Sequence, residues 1–140
     1  MPEIVDVDLL RTALGGSPSF HDAEIQALRL DSAQRSDGEA RLELEIHLFV
    51  PERADGGLTF RNHTLATLEF RGVEDVDLSG FQPQNVLFDL VLVDAPADDR
   101  APITVELQAS WGLSGSLRCR QVAVTAATPF TPGPHSVYGP

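Results

Sequence analysis

Between Ala40 and Val50 the chain alternates without a break. Leu42, Leu44, Ile46, Leu48 and Val50 fall on one side, and Arg41, Glu43, Glu45 and His47 on the other. Successive side chains of a strand point to opposite faces, so this run predicts a strand with one buried and one wet face. A parallel sheet is covered on both faces and its strands are apolar throughout, so this strand belongs in an antiparallel sheet. The same pattern places His47 in water. A chain containing such a strand must supply neighbouring strands and something to cover the leucines.

The rest of the chain offers both. Ile4 to Leu14 carries Leu9, Leu10, Ala13 and Leu14 at helical spacing, with Asp6 or Asp8 as N-cap and Gly15-Gly16 as stop. Pro18 bars any continuation. Ala23 to Leu30 reads as a strand, with a helical turn as the alternative, and Asp37-Gly38 as a turn. Pro51 should end the central strand, and Asp55-Gly56-Gly57 should turn the chain into a strand from Leu58 to Phe70. Gly72 marks a bulge or bend, and Val73 to Leu78 is more weakly extended. Asn85 to Val93 is apolar on both faces apart from Asp89, which suits a position near the middle of the sheet. Ile103 to Ala109 alternates again. Trp111, beside Gly112 at a turn, is expected in the core or at its rim, with an exposed interface anchor as the alternative. Ser116 to Ala127 is the last strand. The expected fold is mainly β (α+β): an antiparallel β-meander, sheet or sandwich, of six or seven strands with one short N-terminal helix. Residues 1–128 form a single globular domain. Residues 129–140 carry four prolines and two glycines, so they form an extended tail outside the ladder.

Charge narrows the function. The 140 residues include 21 acidic and 10 basic ones, a net of −11, and every base is arginine. Without lysine there is no Schiff-base lysine and no phosphate-loop lysine. The acidic balance argues against nucleic acid and anionic membranes as partners, since both recruit basic surfaces. It would steer the protein toward a basic partner. The sequence has no apolar run of about 18 residues, and its start lacks the basic and apolar regions of a secretory signal. The lone Cys119 permits no internal disulfide and no multi-cysteine zinc site, and it fits a reducing compartment. The expected location is the cytoplasm, with Cys119 as a small buried residue.

The densest group of reactive side chains is His21, Asp22 and Glu24. On a strand Asp22 and Glu24 share a face and His21 opposes them; on a helical turn His21 and Glu24 are neighbours. A third ligand, such as His47 or His63, would have to come from another strand, and no zinc or calcium spacing is present. The group is read as structural, with Asp22 capping a turn and His21 holding the loop. A small metal-binding or hydrolytic domain built on the group is the alternative, and an accessory domain without activity is a third reading. No nucleophile elbow and no glycine-rich nucleotide loop occur, so no catalytic residue, metal or cofactor is assigned. His63 and His135 read as surface residues. Between Arg71 and Arg100 lie Glu74, Asp75, Asp77, Asp89, Asp94, Asp98 and Asp99, with no base. Six of these, Glu74, Asp75, Asp77, Asp94, Asp98 and Asp99, cluster near two loops and are the candidate partner-binding residues. If those loops share one end of the sheet, they form a single negative patch.

A family resemblance rests on the order of several pieces. A short helix ends in glycine and is followed by Pro18-Ser19-Phe20-His21-Asp22-Ala23-Glu24-Ile25. The alternating strand comes next, then Leu65-Ala66-Thr67-Leu68-Glu69-Phe70 and Gly80-Phe81-Gln82-Pro83-Gln84-Asn85-Val86. Trp111-Gly112-Leu113 and a last strand through Cys119 complete it. From Leu9 to Thr128 this resembles the bacterial immunity protein 50 family. The resemblance implies a small cytoplasmic protein that neutralises the cognate toxin of a polymorphic toxin system; the missing catalytic motifs favour a non-enzymatic binding protein, and the acidic surface suits a basic toxin such as a nuclease. The resemblance transfers no catalytic residue.

Overall fold

A computed structural model describes residues 2–35, 38–94, 100–136 and 138. Its elements are β1 (Ile4–Val5), α1 (Asp8–Leu14), β2 (Glu24–Asp31), β3 (Arg41–Ala54), β4 (Gly57–Arg71), β5 (Glu74–Ser79), β6 (Val86–Asp94), β7 (Ile103–Trp111), β8 (Ser114–Cys119) and β9 (Gln121–Pro129). Among the described residues nine strands make one sheet, ordered β1-β9-β4-β3-β2-β6-β7-β8-β5. The mainly β class and the N-terminal helix agree with the sequence reading; six or seven antiparallel strands do not. The sheet is mixed, because β1 runs parallel to β9.

Three local causes account for the difference. The segment read as one helix from Ile4 is broken at Asp6, whose φ is 60°, so Ile4 and Val5 pair with β9 instead. The helix has seven residues, and its N-cap is Val7 with no side-chain bond, not Asp6 or Asp8. The weakly extended run after Gly72 is a true edge strand, β5, paired with β8. The last strand is two: the chain leaves the ladder at Arg120, so β8 pairs with β7 while β9 pairs with β4. Nor does Pro51 end β3. The hairpin ladder continues past Pro51↔Phe60 to Ala54↔Gly57.

The sheet consists of two halves joined by a narrow seam. The first half is β1, β9, β4, β3 and β2; the second is β6, β7, β8 and β5. Between β2 and β6 the register shows one pair, Glu24↔Val86. Backbone bonds from Asp22 to Leu87, Leu87 to Ala23 and Ile25 to Asn85 reinforce it. A single hydrophobic cluster draws on both halves. It holds Leu42, Leu44, Ile46, Leu68 and Phe70 from the first, and Leu90, Leu92, Val105, Leu107 and Leu117 from the second. A seven-residue helix cannot cover a sheet of this width, so the halves cover each other, and α1 adds Leu10 and Leu14. Each buried leucine or phenylalanine contributes about 1.5–3 kcal/mol relative to exposure.

The chain crosses between halves at two adjoining points. Gly72, with φ of 64°, ends the passage from β4; a Cβ there would lie 3.0 Å from Cβ of Arg120, the other crossing point. Gly115 is tighter. Its φ is 143°, and a Cβ would come within 2.0 Å of the Asp77 carbonyl, so the β5–β8 contact requires glycine.

Candidate functional site

The structure separates the group that the sequence placed together. His21 and Asp22 lie at the turn into β2, with Asp22 in the left-handed region at φ 66°. The His21 Nδ1–H donates to the Phe88 carbonyl at 2.8 Å, and its ring meets the Phe88 ring edge-on. The Asp22 carboxylate is 3.5 Å from His21 Nε2. Both residues therefore sit on the seam between the halves. Glu24 points elsewhere, into a buried polar line that the sequence reading missed.

That line follows from register. Glu24 is paired with His47, and His47 with Leu65 on its other side. His63 lies two residues from Leu65 on the same outer face, diagonal to His47. The Glu24 carboxylate accepts from His47 Nδ1 at 2.7 Å, and His47 Nε2 is 2.8 Å from His63 Nδ1. A bulge opposite Phe49 puts Asn62 at φ 54°, and its amide donates to the Leu14 carbonyl at 2.9 Å. The helix end and the histidine line are thus fixed by consecutive residues of β4.

The outer face was expected to be wet, yet His47 is fully buried and Glu24 is 4% exposed. The cover is the segment after β9. Phe130 donates its backbone N–H to the His63 carbonyl at 3.0 Å. The Ser136 hydroxyl donates to Glu24 at 2.5 Å. The Tyr138 ring packs 4.3 Å from that of Phe49 and 5.1 Å from that of Phe60, and Phe130 lies 4.8 Å from the His47 ring. Burial and the Asp22 and Glu24 carboxylates push the Tyr138 phenol up to about 12. Burial also lowers the pKa of His63, and His47 acts the same way; the Phe60 carbonyl and Glu24 oppose them. A space of about 520 Å³ remains beside His63, lined by Thr59, Phe60, Phe130, Thr131, Pro132 and Tyr138.

A carboxylate orienting one imidazole against another has the parts of a proton relay. Nucleophilic catalysis further requires a hydroxyl or thiol bonded to the base. Here the Ser136 hydroxyl bonds to the carboxylate. Cys119 is fully buried on β8, and burial pushes its thiol up to about 12, far from a reactive thiolate. Among the described residues no three His, Cys, Asp or Glu side chains are grouped to hold a metal ion.

The acidic residues occupy the second half. Across its outer face run the rows Asp89↔Gln108, Val91↔Glu106↔Ser116↔Asp77 and Val93↔Thr104↔Arg118↔Glu74. Asp77, Asp89 and Glu106 are exposed on it. Asp94 ends β6 one row beyond Val93, so Asp94 and Glu74 lie at the same end of the sheet, about 14 Å apart at three strand spacings. Asp98 and Asp99 lie outside the described residues. Arg118 interrupts the negative surface, bridging to Asp75 at 2.5 Å and Glu74 at 3.4 Å.

Trp111 is not at the core rim but 62% exposed, and Phe81 is 58% exposed. The Asn85 side chain holds their two loops together, accepting from the Gln82 and Leu113 backbone N–H groups and donating to the Gln82 carbonyl.

Neither the curated proteins nor the solved structures compared with the chain give a match. The sequence model of the immunity protein 50 family matches residues 7–130, most of the chain, and the chain belongs to that family.

Proposed function

We propose that this protein acts in the cytoplasm as a non-enzymatic immunity protein, neutralising a cognate toxin by binding it one to one. The family match over residues 7–130 carries the reading. The contact surface is the outer face of the second half together with its Asp94 end: Glu74, Asp75, Asp77 and Asp94, joined by Asp89 and Glu106. Asp98 and Asp99 belong to the same proposal by sequence. A negative face of this kind suits a basic enzyme such as a nuclease, with complementary charge selecting the partner and speeding encounter. Exposed Trp111 and Phe81 supply aromatic surface of the type that anchors interfaces.

The test is co-expression with the toxin encoded beside it. The reading expects cells to survive and a one-to-one complex to be recovered by light scattering. Continued killing at matched expression, or survival with no complex, would count against it.

A further inference from the structure

We propose that the depression over Glu24, His47 and His63 is a peptide-binding site, filled in this chain by its own tail. Its occupant in trans is a turn-forming segment of a partner protein with a hydroxyl residue two positions before an aromatic one, as in the tail, where the Ser136 N–H donates to the Gly133 carbonyl at 3.1 Å. The acidic face takes no part in it, so this proposal stands apart from the toxin reading.

The tail itself shows the chemistry that the site accepts. The Ser136 hydroxyl donates to Glu24 Oε1, the same oxygen that accepts from His47 Nδ1. The Ser136 oxygen also accepts the Tyr138 backbone N–H at 3.1 Å, tying the hydroxyl to the aromatic position. The Tyr138 ring lies against Phe49 and Phe60. On the far side the His135 carbonyl accepts from the Gln84 amide at 2.5 Å. A carboxylate selects a hydroxyl donor and an aromatic floor selects a ring, so the two positions are read separately.

Three observations mark the tail as an occupant and not a part of the core. Among the described residues the hydrophobic cluster reaches Ala127 and takes none from 130 onward. The family match ends at residue 130, where the covering segment begins. The depression is also wider than its contents. About 520 Å³ stays open beside Tyr138, and about 250 Å³ between Ser136 and the loop from Phe81 to Asn85. A tethered segment competes at an effective concentration on the order of millimolar, so a free peptide must outcompete it or meet a chain whose tail no longer binds.

The experiment uses the full chain and a labelled synthetic peptide of residues 129–140, read by fluorescence anisotropy. The S136A/Y138A double variant leaves the site open. It should bind the peptide one to one and at least about tenfold more tightly than the wild type, whose own tail competes. Adding Glu24→Gln to the double variant, or placing both alanines in the peptide, should weaken that binding. Equal binding by wild type and double variant would overturn the proposal, and so would no binding by a folded double variant. Loss of cooperative thermal unfolding in the double variant would also overturn it, since the tail would then be part of the fold.

Discussion

The two halves of the sheet both turn an alternating, acid-bearing face outward, and the end of the first half's face around His47 meets a different fate from the rest, where Glu45 stays exposed. In the second half Asp77, Asp89 and Glu106 remain in water. In the first half the equivalent positions Glu24 and His47 are covered by residues 130–136 and Tyr138. A polar group in water needs no protein partner, whereas a buried one costs free energy unless it is bonded. The covered face accordingly contains a bonded line from Ser136 through Glu24 and His47 to His63. Strand alternation identifies the side that faces away from the core, but a segment distant in sequence decides whether that side is wet.

The largest expected effect comes from the core that both halves share. Leu44→Ala should destabilise by about 2–5 kcal/mol in chemical denaturation. Because the buried faces of both halves join one cluster, a single cooperative transition should move as a whole. Two separate transitions would show that the halves fold independently.

The comparison sharpens with one glutamate from each face. Glu24→Ala leaves the His47 Nδ1–H and the Ser136 hydroxyl without their acceptor and should cost about 1–3 kcal/mol. Glu106→Ala, on the open face, should shift stability by less than about 0.5 kcal/mol. Equal costs would mean that the covered face is wet in solution.

A smaller effect follows from His63, whose folded pKa is lowered from 6.5. As pH falls through the ordinary histidine value, the unfolded chain takes up a proton that the folded chain resists. The stabilising contribution is therefore complete above that value and declines toward the lowered one. Between about pH 7.5 and about pH 5.5 the wild type should lose more stability than His63→Gln, which does not titrate. An equal loss would assign the pH dependence to another group.

Much of the scaffold was legible in the sequence. Leu42, Leu44, Ile46 and Leu48 are buried as their spacing required, and β6 lies in the interior of the strand order. The break at Arg120 was not legible, because Ser116 to Ala127 keeps one strand pattern while its partners change. Alternation describes a strand's own faces and is silent about its neighbours. For the same reason Trp111 has the spacing of a core residue on β7, yet it lies at the strand end where little is left to cover it. The His47 line was hidden twice over. His47 is far in sequence from Glu24 and Ser136, and the proline-rich composition after Pro129 says that the chain leaves the ladder without saying where it goes.

The proposal that the open acidic face meets a basic toxin is decided by stopped-flow association with the cognate toxin at about 0.1 M and about 1 M salt, where the Debye length falls from about 10 Å to about 3 Å. The proteins compared are the wild type and a variant with Asp77→Asn, Asp89→Asn and Glu106→Gln. The wild type should associate fast, and more slowly as salt rises, and the variant should associate slowly at low salt with little change in dissociation. Association rates indifferent to both salt and the three substitutions would contradict the proposal.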